Sequence, residues 1–556
     1  MRIVAGVDGT LPEEAGPLKG WFWDVSFNYG RTQGTVVKEG NLKKPGLAAA
    51  LGPSWVDSSG VPHCGTSQAT NIPGCVPLNL FGGAGSITPD QIAGLTFTGT
   101  LRGTDQLAST QINTSGELFR LFAERPIGLA LGYEYRIVSG ENIPDPVTAA
   151  GDTTGNKSDL TRGHYYVNEG YGELSIPLIG GIPFIEDLEV TAAARVFSYS
   201  TFGTDATYKI GGRWRVVPDF TFRGTYSTGF RAPSIAELYQ GQADAFPNVQ
   251  DPCRGAGVAG GSAPPASCGD AANNGDAQTQ LRNRVGGNPG LQPETAKIFT
   301  TGVVLEPRYV RNLTVTVDYY NITIDKTLAP IGASTILNAC YFGDPASAPR
   351  YCALIQRDET THRILNIINL TTNAGQDKTD GIDVAIRYDL PTELGRWGFL
   401  FDGTWLHQYN RTLADGTVVR ARGRFDLATT GGVYPAFKFN SGLRWALSGL
   451  GAGVTSRFVG SFTECGTASG NFAGSGLCYV NSTYQRHVDA YDTWDAYVSY
   501  AFNSTFGKTS VAFGVNNVFN KDPAIIYNGF TAASDPTAYA DGFMGRFGYL
   551  RVGHAF

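Results

Sequence analysis

Tyr226-Ser-Thr-Gly-Phe-Arg-Ala-Pro-Ser-Ile-Ala-Glu-Leu238 is the stretch that decides the fold, and Asn288-Pro-Gly-Leu-Gln-Pro-Glu294 follows it roughly fifty residues later. Pro233 has a fixed φ and no backbone N–H, so strand pairing ends at this residue. We therefore predict that the first stretch ends a strand and opens a long loop. The second stretch closes that loop and begins the next strand.

The composition favours a transmembrane β-barrel over a set of soluble domains. The 556 residues include 72 Gly, 26 Tyr and 31 Phe, only 17% are charged, and the mean hydropathy is close to zero. No run of 18 or more apolar residues occurs, which argues against a helical membrane span. Barrel strands are half apolar and half polar, so their mean hydropathy is close to zero. The net charge of −6 argues against a nucleic-acid partner.

Four segments alternate strictly between apolar and polar residues, which is the period of a strand with two different faces. They are residues 127–136, 219–227, 313–319 and 494–500. In a barrel the apolar face meets lipid and the polar face lines the lumen. In a soluble sandwich the apolar face would be core, so these segments alone fit both folds.

The lengths of the connections favour the barrel. Short links at 124–126, 216–219, 306–311, 448–451 and 503–507 alternate with mostly long polar ones at 32–106, 137–163, 231–293, 326–379, 412–436, 463–489 and 519–545. Short periplasmic turns and long extracellular loops are typical of outer-membrane barrels. Compact soluble domains rarely contain so many long loops. The sequence thus predicts an all-β, antiparallel transmembrane β-barrel.

The predicted strands number about 17. They lie near 2–7, 21–31, 107–122, 126–136, 164–177, 187–200, 204–216, 218–230, 294–306, 312–325, 380–390, 397–411, 437–447, 452–462, 490–502, 508–518 and 546–556. Plugged transporters of the outer membrane have about 22 strands, and bacterial barrels have even counts. We therefore expect residues 1–556 to form strands 6 to 22 of a barrel that is incomplete at its N-terminus and has no plug domain.

The eight cysteines form four local pairs, each of which closes a loop of roughly a dozen residues. The pairs are Cys64 with Cys75, Cys253 with Cys268, Cys340 with Cys352, and Cys465 with Cys478. All fall in predicted long loops and none is a CxxC, so we expect disulfides formed in an oxidising compartment rather than a redox or zinc motif. Residues 1–20 lack the apolar core of a signal peptide, so we expect the true N-terminus to be missing.

The two opening stretches resemble the signature pair of TonB-dependent outer-membrane receptors. The matching residues are Phe230, Arg231, Pro233, Glu237, Leu238, Asn288, Pro289, Leu291, Pro293 and Glu294. Residues 75–82, 169–177 and 514–523 also resemble segments of this family. The chain end, with Leu550, Val552 and Phe556 on one face, resembles an outer-membrane assembly signal.

The resemblance implies TonB-dependent uptake of a scarce nutrient in the bacterial outer membrane: a ferric siderophore, an oligosaccharide or cobalamin. It implies no enzymatic activity and no cofactor. The implied partners are the lipid bilayer, the barrel assembly machinery, a small-molecule ligand and the TonB complex, the last only if a plug and a TonB-box are supplied. A passive pore, an adhesin or phage receptor, and a non-functional fragment remain open alternatives.

Individual residues allow more than one interpretation. Arg231 and Glu237 could contact a ligand, but we favour a role in fixing the turn from strand to loop. Gly255–Gly260 matches GxGxxG without a βαβ unit, and the run Asp270–Asp276 lacks EF-hand spacing, so neither predicts a site. We assign Trp21, Trp23, Tyr133, Tyr135 and Tyr500 to an interfacial girdle. The loop aromatics Trp55, Phe246, Tyr341 and Phe342 are candidate ligand contacts.

Overall fold

The computed structural model describes residues 1–425, 432–464, 486–525 and 544–555. Its main feature is one antiparallel sheet in which 17 long strands each pair with their neighbours along the chain. The strands are Arg2–Thr10 (β1), Phe22–Leu42 (β2), Thr96–Glu117 (β3), Gly128–Pro144 (β4), Thr161–Ile182 (β5), Ile185–Tyr199 (β6), Gly203–Val217 (β7), Phe220–Arg231 (β8), Glu294–Leu305 (β9), Leu313–Pro330 (β10), Thr371–Thr392 (β11), Gly395–Thr412 (β12), Phe437–Leu447 (β13), Leu450–Val459 (β14), Tyr491–Ser504 (β15), Gly507–Asn516 (β16) and Phe547–Ala555 (β17). The predicted strand number is confirmed.

The two faces of the sheet differ as the alternation predicts. On β8 the exposed Phe222 and Tyr226 share one face, while Arg223 on the other face forms a bidentate ion pair with Asp318 of β10. Such an apolar, exposed face is the lipid-facing surface of a barrel, and the polar face lines its lumen. No helix within the described ranges combines the length and the apolar character that a membrane crossing requires.

Several predicted loop boundaries are wrong because strands extend further toward the long loops. β2 reaches Leu42 and β3 begins at Thr96, so much of the predicted loop 32–106 is strand. β11 begins at Thr371, nine residues before the predicted start at 380. Beyond the lipid no apolar face is required, so the hydropathy alternation ends although the ladder of hydrogen bonds continues.

The end of the sheet that carries the long connections, here called the loop end, contains short folded elements. The helices are Lys44–Ala50 (α1), Pro89–Leu95 (α2), Pro146–Ala150 (α3), Ile235–Tyr239 (α4), Ala333–Tyr341 (α5) and Ala348–Cys352 (α6), with 3-10 turns at Gln68–Thr70 and Ala266–Ala271. A further 3-10 turn, Glu13–Leu18, connects β1 to β2 at the opposite end of the sheet. The short strands are Ser54–Val56, Pro62–Cys64, Ala243–Ala245, Asn283–Val285, Ile355–Arg357, Ile364–Ile368, Val418–Arg420, Arg424–Phe425, Phe462–Glu464 and Arg486–Val488.

Residues 232–293 and 331–370 fold together into one unit, here called the loop subdomain. Four of the short strands form its sheet, and Leu281, Ile336 and Ile367 are fully buried in its core. Arg357 and the fully buried Asp251 form a bidentate ion pair across it, with N–O distances of 2.6 and 2.8 Å. The two loops are therefore one packed structure rather than two solvated connections.

Three of the four predicted disulfides are present in the structure. They join Cys64 to Cys75, Cys253 to Cys268, and Cys340 to Cys352, and the last two lie in the loop subdomain. The fourth predicted pair is not among the described disulfides, because Cys465 and Cys478 both lie outside the described residues. A bond between Cys465 and Cys478 therefore stays a prediction from the sequence.

One girdle assignment is wrong. Trp21 is buried rather than lipid-facing, since its indole packs over Gly116 and its Nε1 donates to the Glu117 carbonyl at 3.2 Å. Tyr133 and Tyr500 are exposed at the sheet surface, as the girdle assignment requires.

Candidate functional site

The signature residues meet where β8 ends and β9 begins. Arg231 and Glu294 are direct cross-strand partners, and the Arg231 guanidinium donates to the Glu294 carboxylate through Nε (2.7 Å) and Nη2 (2.9 Å). It also donates to Glu237 through Nη1 (3.0 Å) and Nη2 (2.9 Å). We call Arg231, Glu237 and Glu294 the signature clamp, because one cation joins the first turn of the loop to the strand that ends it.

The local sequence explains why Glu237 faces Arg231. After Pro233 ends the strand, Ser234 caps α4: its Oγ accepts from the Glu237 N–H (3.2 Å), and Glu237 Oε2 accepts from the Ser234 N–H (2.7 Å). This is a capping box, which satisfies the free N–H groups of a helix start. Burial raises the pKa of Glu237, but hydrogen bonds from Arg231 and the Ser234 backbone outweigh it and leave the pKa below its ordinary value.

The second signature stretch returns the chain to the sheet. The Asn288 N–H donates to the Glu237 carbonyl (2.8 Å), and its Nδ2 donates to the Thr371 carbonyl at the start of β11 (3.1 Å). Leu238 and Leu291 are both almost fully buried. Pro293 is buried just before β9, whereas Pro289 is exposed.

The clamp continues into a bulge of β10. The β10–β11 register shifts between Asp325 and Thr327, with Lys326 at φ 59°. Glu294 Oε1 accepts from the Leu328 N–H (2.7 Å) just beyond the bulge. Asn373 of β11 donates to the Lys326 carbonyl at 3.1 Å. The clamp therefore also fixes the backbone of the neighbouring strand.

A cavity of about 1000 Å³, here called the mouth cavity, lies at the loop end beside this bulge. Inward-facing residues of β10, β11 and β12 form its wall, among them Thr327, Asp377 and Arg411. The segment 413–420 and the start of α5 complete the lining, and both Glu294 and Leu328 contribute to it. Its volume is within the range of small-molecule sites.

Most charges around the mouth cavity are engaged by the protein itself. Arg411 Nε donates to Asp377 Oδ1 (3.0 Å), and Glu294 is held by Arg231. Asp415 accepts the Thr417 N–H (2.9 Å) and so closes a tight turn. Within the part of the chain that the structure describes, Arg424 forms no ion pair.

The candidate ligand aromatics do not line the mouth cavity within the described residues. Trp55 stacks on His63 with ring centroids 4.9 Å apart, and the Tyr341 hydroxyl accepts from Arg357 (2.8 Å) inside the loop subdomain. Phe246 and Phe342 are exposed on that subdomain. Over the described ranges no three His, Cys, Asp or Glu side chains are grouped as metal ligands.

The last strand places Leu550 and Val552 on the exposed face of β17, opposite Phe513 and Val511 of β16. Phe556 lies outside the described residues.

A long antiparallel sheet with an apolar outer face, a polar inner face and folded loops at one end defines the barrel of an outer-membrane receptor. Residues 16–518 match the family model described as TonB dependent receptor-like, beta-barrel, and the chain belongs to this family. It is therefore a protein of the bacterial outer membrane, from a family of receptors and not of enzymes.

Solved structures show the same fold. A mutant of the ferric enterobactin receptor PfeA from Pseudomonas aeruginosa aligns with a TM-score of 0.55 at 15% identity, over 96% of this chain and 59% of that one. The siderophore receptor PirA from Acinetobacter baumannii aligns at 0.52 and 13%, over 100% and 77%. The ferripyoverdine receptor of Pseudomonas aeruginosa aligns at 0.53 and 12%, over 99% and 55%. The chain thus spans less than two thirds of the PfeA and ferripyoverdine receptors.

Proposed function

We propose that this chain is the ligand-binding barrel of a receptor for a scarce nutrient, a ferric siderophore before an oligosaccharide or cobalamin. The observation that carries the proposal is the mouth cavity, which joins the barrel rim to the loop subdomain in a space of small-molecule size. The siderophore receptors among the structural neighbours support this ligand class. Uptake would need the TonB complex acting through a plug and a TonB-box, so binding and uptake require separate assays.

Binding is tested first, on the full chain in detergent, by titration with ferric enterobactin and ferripyoverdine and with cobalamin. Ala329 lines the mouth cavity and is exposed, so Ala329→Trp fills the cavity without disturbing a packed core. The matched control is Ala346→Trp, an exposed site away from the cavity. We expect at least tenfold weaker binding for A329W only. Equal affinity of both variants would refute the site.

Uptake is tested in cells that lack other siderophore receptors, with and without TonB. We expect radioactive iron to accumulate only when TonB and a plug-bearing segment are present. Steady single-channel conductance without TonB would instead indicate a passive pore. Binding of host cells or phage without accumulation of solute would indicate an adhesin or phage receptor.

We also propose that the barrel assembly machinery recognises the last strand through its apolar residues. Replacing Leu550 and Val552 by Asn should lower the folded fraction in the outer membrane, seen as loss of the heat-modifiable band on gels. An unchanged folded fraction would contradict this role.

A further inference from the structure

The walls of the mouth cavity are joined into a ring, here called the collar. On one side the chain continues from β10 into α5, and the start of α5 lines the cavity. On the other side β10 pairs with β11, and β11 pairs with β12. The chain then continues from β12 into residues 413–420, here called the wall segment, which also line the cavity. Two contacts close the ring between α5 and the wall segment.

The first of these contacts is covalent. The disulfide between Cys340 and Cys352 joins α5 to α6. Tyr351 of α6 is 3% exposed and packs in one buried cluster with Ala339 and Cys340 of α5. The two helices are therefore held together, and the position of Tyr351 is set by α5.

The second contact is a single hydrogen bond. The Tyr351 hydroxyl donates to the Ala414 carbonyl oxygen at 2.9 Å, across 63 positions of the chain. The same hydroxyl accepts from Arg350 Nη2 at 2.6 Å, so its one hydrogen is directed to Ala414. Among the described residues, no other hydrogen bond joins the loop subdomain to the wall segment.

This hydrogen bond is the weakest link of the collar. The ladders that join β10, β11 and β12 contain many hydrogen bonds, and the disulfide is covalent. The signature clamp also fixes β10, because Glu294 accepts from the Leu328 N–H. One neutral hydrogen bond shifts an equilibrium by only about two- to tenfold. The collar should therefore open between Tyr351 and Ala414, a junction here called the seam.

We propose that the seam is the gate of the mouth cavity, and that Tyr351 is a positioning residue that sets how fast a ligand enters and leaves. This inference rests on the binding function proposed above. Within the described residues Ala414 lines the cavity and Tyr351 does not, so the hydroxyl acts on the wall and not on the ligand. The hydrogen bond forms in the empty and in the occupied cavity. Its loss therefore accelerates association and dissociation equally and leaves the affinity unchanged.

The opening of the seam is measured first, without ligand, on the full chain in detergent. Ala353 follows α6 and Thr417 belongs to the wall segment, and both are exposed. A353C/T417C therefore carries one nitroxide label on each side of the seam, and pulsed electron paramagnetic resonance gives the distances between them. Y351F removes the hydroxyl and keeps the ring. We expect the population at longer distances to rise about two- to tenfold.

The matched control is Y239F. Tyr239 lies in the same loop subdomain, and its hydroxyl also donates to a backbone carbonyl, that of His164 on β5, at 3.5 Å. Neither residue lines the mouth cavity. The control therefore loses a tyrosine hydroxyl at another contact between subdomain and barrel, and its distance distribution should match that of the unsubstituted pair.

Ligand exchange is measured next, by stopped-flow fluorescence with ferric enterobactin. In Y351F we expect both rate constants to rise about two- to tenfold, with a Kd within about twofold of wild type, and in Y239F no change. Linking the two thiols of A353C/T417C with a flexible bis-maleimide locks the seam. The linked protein should exchange the ligand about tenfold more slowly than the unlinked one.

Three outcomes would overturn the proposal. An unchanged distance distribution in Y351F would show that the hydrogen bond does not hold the seam. Exchange rates that neither Y351F nor the link alters would show that the ligand uses another route. A weaker affinity without faster exchange would show that Tyr351 only maintains the shape of the cavity. If wild type binds no ferric siderophore while Y351F opens the seam, the proposed ligand class fails and the seam stands.

Discussion

Replacing Arg231 by Ala removes the only cation of the signature clamp and leaves Glu237 and Glu294 facing each other. Four hydrogen bonds of 2.7 to 3.0 Å are lost. Bonds to charged groups contribute about 1.5–3 kcal/mol each when desolvated. The Arg231 side chain is 48% exposed, so solvent screening applies, and half of the lower value over four bonds gives about 3 kcal/mol. This corresponds to about 100-fold more frequent opening of the loop anchor.

Hydrogen–deuterium exchange on the full chain measures that opening directly. The amides of Ser234 and Leu328 donate to the clamp carboxylates, so both should exchange about 100-fold faster in R231A. The matched control is Arg223→Ala. Arg223 lies on the same strand, is 49% exposed and makes its own bidentate pair with Asp318, so its loss should leave these amides at the wild-type rate.

Arg231→Lys separates charge from geometry, because an ammonium cannot reproduce the planar fork that serves two carboxylates. Its exchange rates should fall between those of wild type and R231A. Wild-type exchange at Ser234 and Leu328 in R231A would show that the clamp contributes nothing to the anchor. Wild-type exchange in R231K alone would show that charge suffices.

Three further perturbations test the loop end. Glu237 has a lowered pKa in the folded state, so its stabilising contribution to the clamp is full above its ordinary pKa of 4.5. That contribution is lost as the pH falls through the lower pKa of the folded state. Hydrogen exchange at the Leu328 amide, corrected for the intrinsic rate, should therefore rise only below about pH 4.5. Arg357→Ala leaves the buried Asp251 without its cation at a cost of about 3–5 kcal/mol, so limited proteolysis should cut the loop subdomain while the barrel stays folded. Replacing both Cys340 and Cys352 by Ser should lower the stability of the subdomain by up to about 3 kcal/mol in thermal unfolding, and reduced wild type should match the variant.

The sequence predicted the barrel strands well and their outer ends poorly, for one physical reason. Lipid contact imposes the alternation that marks a strand, as in Phe222 and Tyr226, so strands are visible wherever they cross the bilayer. Above the bilayer, residues 32–42 and 371–379 still form ladder hydrogen bonds, but no lipid contact requires one of their faces to be apolar. No hydropathy signal distinguishes such strands from polar loops.

The candidate site shows a similar division. The signature residues were identifiable from sequence. Arg231 and Glu294, however, are 63 positions apart along the chain, and their contact depends on the register between β8 and β9. The pairing of Asp251 with Arg357 spans 106 positions and joins two different loops, which spacing along the chain does not predict.

The geometry of the clamp favours a role of Arg231 and Glu237 in fixing the turn over a role in contacting a ligand. Of the five N–H donors of a guanidinium, four already serve the clamp carboxylates, and Arg231 does not line the mouth cavity. Glu294 and Leu328 do line it, so we expect the clamp to affect ligand binding through the position of the cavity wall. We therefore expect R231A to weaken binding of a ferric siderophore by about tenfold and R223A to leave it unchanged, because about 1.4 kcal/mol of the anchoring free energy is enough for that effect. If R231A opens the anchor by hydrogen exchange yet binds the ligand with wild-type affinity, the wall position is irrelevant to binding and the clamp serves the fold alone.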